Sequence, residues 1–544
     1  MSNLSIINAA YSALESAQSG LTVTSQNVAG ASVEGYSRRR STTIVNVMAP
    51  NSRALTGTAF SVEGFTRFTD ALLNKQMLQQ RGKSSYTTTL LESVAGLDTL
   101  MMDPSNSIAE AVSKFFNAAG TLASDASNIT NIQNFAATAT QVAARVSSFS
   151  EVINQLEAST QAKLSAVLQE ANALAPELAR INTEVLAGTS MGNTTPSADV
   201  LDERDRITMR LQDLLGGSTL LHEDGTASFQ IGGIFLVDRQ TPNKFINTDV
   251  TTSIWNIQIQ TSDGLNRVLG PMSTLGGEVA LTTGGTTRTQ SRTAFTSGQA
   301  GAAFEILSNF VPKLKQQLSS FAIALARDVN SVTTITNGAI TPVFGFKATT
   351  SGGGVTTSVP SDFTDKWVED PVTHIFTKSS SGHILTATEI MRMSDPKSAS
   401  YNTTIASIVN GAAGRTYDPS LFVSNIPFDT TVAPTIDAKA ANLIEALRDD
   451  VKNPIDGSPS RDFSNALTSM TSQVGSTIAN WKNLDKANTA IESQLKNRKE
   501  SISGVNLDEE AANMVKFQQL YGAASKVMQT ANQMFMTLLS AMNA

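Results

Sequence analysis

The end of the chain carries the pattern that most limits its fold. Met514, Phe517, Tyr521, Ala524, Met528, Ala531, Phe535, Leu538 and Met542 succeed one another at alternating steps of three and four residues, the spacing of a coiled-coil seam. Asn506 with Glu509 predicts the N-cap of this helix, and Asp508, Glu509 and Glu510 lie where the positive end of a helix dipole favours acids. At about 1.5 Å per residue the helix reaches roughly 54 Å, and an apolar face so long and narrow requires a partner along its whole length. That partner is either another coiled-coil arm inside a monomer or dimer, or a neighbouring subunit. Methionine and aromatic side chains dominate the seam, and methionine adapts readily to new neighbours, which favours a helix that meets more than one partner.

A second seam opens the chain. Ile7, Leu14, Leu21 and Val28 recur every seven residues, and Ala10, Ala17 and Thr24 fall between them, small enough for close helix approach. Asn27, Gly30 and Gly35 break the pattern, and Tyr36 to Phe68 reads as strands and turns, including Thr43–Val47 and Ala59–Val62. Helical periodicity returns at Phe65 and persists to about Val185. Within it Ser107 and Glu110 predict a capping box ahead of Phe115 and Phe116. A seam from Val146 to Val185 takes two steps of four through Thr160, the mark of a stutter, and Pro176 is expected to kink or restart its helix.

From Leu215 to about Gly298 glycine, threonine and alternating β-branched residues predict β structure. Phe304 to Val332 is helical again, and Thr341 to Pro434 is rich in Ser, Thr and Gly. Helix resumes at Ile436–Leu447 and from Phe463 almost to the end, broken near Ser503–Asn506. The fold class expected is α+β and multidomain. Paired N- and C-terminal helices form a coiled-coil-like domain (1–64 with 500–544), and a helical bundle forms the body (65–215 with 436–499). A β-rich domain (216–300), a joining helix (301–335) and a second β-rich insert (336–435) project outward.

Composition excludes several kinds of chemistry. With a formal charge of -7 and no basic run beyond Arg38, Arg39 and Arg40, the chain announces no nucleic-acid surface, and those arginines read as a solvated loop end. Cysteine is absent, which removes disulfides, thiolate metal sites and cysteine nucleophiles, and suits export of an unfolded chain through a narrow channel. His222, His374 and His383 lie in or beside β segments away from any ligand spacing, so no metal or cofactor site is expected. Asp202, Glu203 and Asp205 alternate with Arg204 and Arg206, and read as a salt-bridged helix surface or domain junction with Asp202 and Arg206 paired. Gly232–Gly233 and Gly276–Gly277 lack the lysine or helix start of a phosphate loop. The first residues lack the basic start and apolar core of a Sec-type signal, and no stretch is long and apolar enough for a membrane-spanning helix, so no membrane insertion is expected.

Some of these residues carry a family likeness. Ser25-Gln26-Asn27-Val28-Ala29 with Gly35-Tyr36-Ser37-Arg38 resembles the N-terminal motif of flagellar rod, hook and hook-associated axial proteins. Ser503 to Glu510, followed by Phe517-Gln518-Gln519 and Tyr521, is similar to the other end of the same group. Leu201 to Asp205, Leu211, Asp224-Gly225 and Phe115 to Ala118 resemble the central motif of the hook-associated protein 1 (FlgK) family. The resemblance covers both ends and the middle to about Asn330, and Thr341 to Pro434 lies outside it.

The resemblance implies a non-enzymatic subunit at the hook–filament junction, secreted by the flagellar type III apparatus. Its terminal helices would self-associate in a ring, with Ile7, Leu14, Leu21, Val28, Met514, Phe517, Tyr521, Met528, Phe535 and Leu538 as the assembly seam. It implies hook protein and hook-associated protein 3 as partners, and an export chaperone on the C-terminal helix. Another axial protein, hook-like or flagellin-like, an exported adhesin-like surface protein and a wall-degrading enzyme remain open on the residues alone.

Overall fold

The computed structural model describes residues 3–33, 36–46, 59–101, 107–190, 197–250, 257–268, 279–283, 286–290, 295–337, 343–346, 348–349, 355–356, 367–369, 375–378, 383–386, 422–424, 436–449 and 462–542. The described chain is mostly helical, with small antiparallel sheets of two to four strands. Its residues divide into two compact units, 1–89 with 162–304 and 483–544, and 90–161 with 305–482.

In the first unit α1 (Asn3–Gly30) is followed by a hairpin, β1 (Arg39–Asn46) and β2 (Ala59–Arg67), with a bulge between Thr42 and Thr43. Phe65 therefore belongs to a strand, opposite Ser41, and the next helix, α2 (Ala71–Met101), starts later than periodicity suggests. Asp70 sets that start by accepting hydrogen bonds from the amides of Leu72 and Leu73. After α3 (Ile108–Ser124), a 62-residue helix, α4 (Ile129–Ser190), runs unbroken through Pro176. The expected restart does not occur: proline removes one ladder hydrogen bond, while Ala175 and Leu178 beside it are fully buried and hold the helix in register.

The β-rich segment is fastened to α4 by side chains that act as strand edges. Asn182 donates to the carbonyl of Ala227 at 2.7 Å and accepts from its amide at 2.9 Å. Asn172 does the same for Phe245 at 2.9 and 2.7 Å, and Ser165 donates to Thr248 at 2.8 Å. These bonds satisfy backbone groups of β4 (Ala227–Ile231) and β7 (Lys244–Ile246) that have no strand partner on that side. Below them Phe229, Ile231, Phe245, Ile259, Phe295 and Phe304 are buried, the last two stacked at 4.8 Å. The sheets here are ordered β3–β4–β5–β6 and β7–β8–β9, where β3 is Ser218–Leu221, β5 Ile234–Asp238, β6 Thr241–Pro242, β8 Gln258–Gln260 and β9 Asn266–Val268. A further pair, β10 (Val279–Thr283) and β11 (Thr286–Gln290), follows.

In the second unit Ser107 caps α3, accepting from the amide of Glu110 at 3.1 Å, which is one half of the expected box; the Glu110 carboxylate pairs with Lys114 at 3.4 Å. Phe115 and Phe116 lead into an aromatic cluster with Phe135, Phe344, Phe422 and Phe463, ring centroids 5.1 to 6.0 Å apart. After α6 (Gly298–Glu305) and a π-turn at Ile306–Phe310, α7 (Val311–Asn337) packs near α8 (Ala438–Ala446). Phe344–Phe346 pairs with Phe422–Ser424, so the chain between them leaves and returns at one place. Most of that 341–434 insert lies outside the described residues. Two last helices, α9 (Phe463–Ser503) and α10 (Leu507–Met542), are broken where Ser503–Asn506 is expected to break them.

Candidate functional site

The C-terminal seam finds its first partner inside the chain. α10 lies antiparallel to α1: Arg38, just past the end of α1, bonds Glu510 near the start of α10, and Gly20, earlier in α1, lies on Phe517. The positions that close the seam are the small ones, Ala10, Ala17 and Thr24 on α1 and Ala524 and Ala531 on α10, all at most 4% exposed. A Cβ on Gly20 would stand 2.5 Å from the Phe517 ring, so glycine is what lets the two helices approach.

The larger seam residues are placed differently. Ile7, Leu14, Leu21, Met514, Phe517 and Met528 are half-buried, whereas Val28, Tyr521 and Phe535 remain exposed. The side chain of Leu538 lies outside the described residues. Other apolar side chains along the pair also face out, including Tyr11 at 62% and Met536 at 65% exposure. The pairing therefore uses the alanines and leaves much of the bulky surface open.

An ionic anchor holds this pair to α5 (Ala198–Leu215). Asn27 donates to the carbonyl of Arg39 at 3.0 Å and accepts from its amide at 2.9 Å, and the Tyr36 hydroxyl donates to the same Asn27 oxygen at 2.9 Å. Gly30 leaves room for the Tyr36 ring, which a Cβ would meet at 2.5 Å. Arg39, 4% exposed at its side chain, reaches Asp199 at 2.6 Å and Asp202 at 2.8 Å. Arg67 reaches Asp202 at 2.7 Å and Asp205 at 2.9 Å. Arg38 bridges to Glu509 at 2.9 Å and to the buried Glu510 at 2.8 Å, and its amide donates to the Ser503 carbonyl at 3.1 Å.

The electrostatics follow from burial and pairing. Burial pushes the Tyr36 hydroxyl up to about 12, even though Arg39 lies over its ring at 4.8 Å. Burial opposes the charge of Arg39, yet its bonds to Asp202 and Asp199 hold its pKa above the ordinary arginine value. The hydrogen bond to Glu509 likewise raises Arg38, and the bond from Arg38 lowers Glu509. Lys499, on the wall of an adjoining cleft of about 880 Å³, is lowered chiefly by burial.

Arg38 and Arg39 are not a solvated loop end, although Arg40 is exposed; their acidic partners lie on α5 and α10, far along the chain. Asp202 does not pair with Arg206 four residues on. It faces the hairpin arginines, while Arg206 turns outward to Glu203. Arg67 and Asp199 carry no local signal, and the first-turn position of Glu510 marks it as a dipole acid without naming Arg38 as its partner, since each acts through a residue distant in sequence. His222 bonds Ser228 at 2.8 Å and stands beside Arg239, a β-turn role consistent with its position. Among the described residues no group of acids and histidines is arranged to hold a metal.

Comparison with known proteins gives one answer along the chain. A model of the flagellar hook-associated protein FlgK helical domain matches residues 94–335, and one of the flagellar basal body rod FlgEFG protein C-terminal region matches residues 500–541. The chain is 23% identical to flagellar hook-associated protein 1 of Salmonella typhimurium and 24% identical to that of Escherichia coli, in both cases over 98% of this chain and 99% of the relative. The protein of the same name from Bacillus subtilis is 22% identical over 41% of this chain and 47% of its own length. In fold the chain is similar to the flagellar hook junction protein FlgK from Burkholderia pseudomallei, with a TM-score of 0.53 at 15% identity, over 79% of this chain and all of that one.

Proposed function

Since the chain belongs to the FlgK family of flagellar hook-associated proteins, structural parts of the flagellum, we propose that it forms the junction between hook and filament. It contacts the hook protein on one side and hook-associated protein 3 on the other, and copies associate in a ring through residues 1–64 with 500–544. Ile7, Leu14, Leu21, Val28, Met514, Phe517, Tyr521, Met528, Phe535 and Leu538 contribute to that assembly. The body (65–215 with 436–499) carries the β-rich parts (216–300 and 336–435) outward through 301–335. The chain leaves the cell through the flagellar type III apparatus, with a chaperone on α10 beforehand.

The observation that carries this reading is the terminal pair itself. A helix of 36 residues is closed along one narrow line by alanines, while Tyr521 and Phe535 stay 38% and 50% exposed. Apolar area of that kind on a lone chain marks an interaction surface. An anchored pair also suits a load-carrying joint, because the half-buried Asp202 held between the guanidiniums of Arg39 and Arg67 fixes its direction.

Electron microscopy of cells lacking the gene tests the assignment. Hooks without attached filaments select the junction. Filaments of normal length and number would contradict it, and loss of hooks as well would move the chain to an earlier place in the axial structure.

A further inference from the structure

The terminal pair has two unlike flanks. On α10 Leu520, Val527 and Met534 repeat every seven residues and are 39%, 45% and 41% exposed. At about 100° per residue they fall roughly 40–80° to one side of Ala524, which faces α1. On α1 Leu14, Ile7 and Tyr11 fall roughly 60–120° to the other side of the buried Ala17 by the same geometry. Because the helices are antiparallel, these opposite rotations carry the two sets to opposite flanks of the pair. One flank is a ridge on α10; the other is a groove between the Leu14–Tyr11 face of α1 and the Tyr521–Met528 face of α10.

We propose that the Leu520–Val527–Met534 ridge of one copy seats in the α1 groove of a second copy, so that identical chains join head to tail. The proposal rests on the reading that the terminal helices self-associate, and names the faces that meet. A seven-residue repeat selects a helix as its partner, and α1 already occupies the other seam of α10. The second copy supplies a helix with a bulky, uncovered apolar flank. Charge favours α1 over α10 as that partner: α1 carries Glu15 as its sole charged residue, and beyond Glu510 the charges of α10 are Lys516 and Lys526. An α10–α10 contact would set lysines against lysines, whereas α1 against α10 sets an acid against them. Unlike faces that meet in this way repeat without pairing off, which yields a ring or a helical array in place of a dimer.

Disulfide trapping tests the proposal cleanly, because the chain has no cysteine of its own. Full-length Tyr11→Cys is mixed in turn with Leu520→Cys, Val527→Cys and Met534→Cys, at concentrations where sedimentation detects association, and mildly oxidised. Each single variant alone is expected to stay uncrosslinked, at least one mixture to give a covalent dimer, and the chain carrying both matching cysteines to give a ladder of covalent oligomers. Association without any mixed crosslink overturns the pairing of these faces and leaves self-association standing. Efficient dimers of Val527→Cys alone overturn it in favour of an α10–α10 contact, and a bond within one chain overturns the opposite placement of the flanks. A chain that does not associate at any concentration overturns the self-association reading itself, and this proposal with it.

Discussion

The Asn27 side chain takes both backbone polar groups of Arg39, donating to its carbonyl at 3.0 Å and accepting from its amide at 2.9 Å. A single side chain thus stands in for a strand neighbour at the point where the chain turns from α1 into the hairpin. Asn27→Asp keeps the size but replaces the donor with an oxygen that faces the Arg39 carbonyl. The expected loss is about 2 kcal/mol, read from the urea midpoint. An unchanged midpoint would show that water satisfies the carbonyl equally well.

Asp202 is shared by two arginines whose side chains are 4% and 9% exposed. Asp202→Ala leaves Asp199 and Asp205 as their remaining partners and strands part of each buried charge, with an expected loss of about 3 kcal/mol. Glu203→Ala, which removes a partly exposed pair with Arg206, is expected to cost under about 1 kcal/mol. Equal losses in the two variants would argue that the anchor is no more than surface charge.

Acid should loosen the link between Arg38 and α10. The bond from Arg38 holds the Glu509 carboxyl below its ordinary value of 4.5. A carboxylate lowered in the folded state contributes stability above that ordinary value and loses it as pH falls through the folded one. Thermal melts taken between about pH 3 and about pH 7 should therefore show a steeper acid decline for the native chain than for Glu509→Gln, with the difference confined below the ordinary glutamate range. Parallel profiles would remove Glu509 from the link.

Phe517 leaves no room for a side chain on Gly20, since a Cβ would lie 2.5 Å from its ring. Gly20→Leu is expected to part α1 from α10 and expose residues 507–542 to protease at least tenfold faster, because the pair cannot close over a branched side chain. Gly522→Ala on α10 meets nothing within 4 Å and should leave cleavage unchanged. Similar cleavage of all three chains would mean that the pairing does not depend on this contact.

The sequence made the elements legible where their signal is local. The α10 helix, the Ser107 cap and the break near Ser503 each follow from residues within one or two helical turns, and each lies where the spacing indicates. The anchor was illegible because its bonds join Arg39 to Asp202 and Arg38 to Glu510 across 163 and 472 positions. An i, i+4 reading of Asp202 and Arg206 fails for the same reason: local spacing permits the pair, and buried arginines elsewhere outcompete it. The apolar neighbours of Phe65 suit either period, and pairing with β1 decides for strand. At Pro176 the helix does not restart, since burial of Ala175 and Leu178 on either side of it outweighs one missing hydrogen bond.

The proposed junction role depends on the open face of the terminal helices. Purified protein added to cells that make hooks but lack it tests this apart from export. Native protein is expected to restore filament growth, and Phe535→Asp is expected to fail, because an unpaired carboxylate would have to be buried between neighbouring copies at a cost of about 3 kcal/mol or more in each contact. The variant should melt at the native temperature, since Phe535 is 50% exposed in the single chain. Filament growth on Phe535→Asp equal to that on native protein would contradict the account.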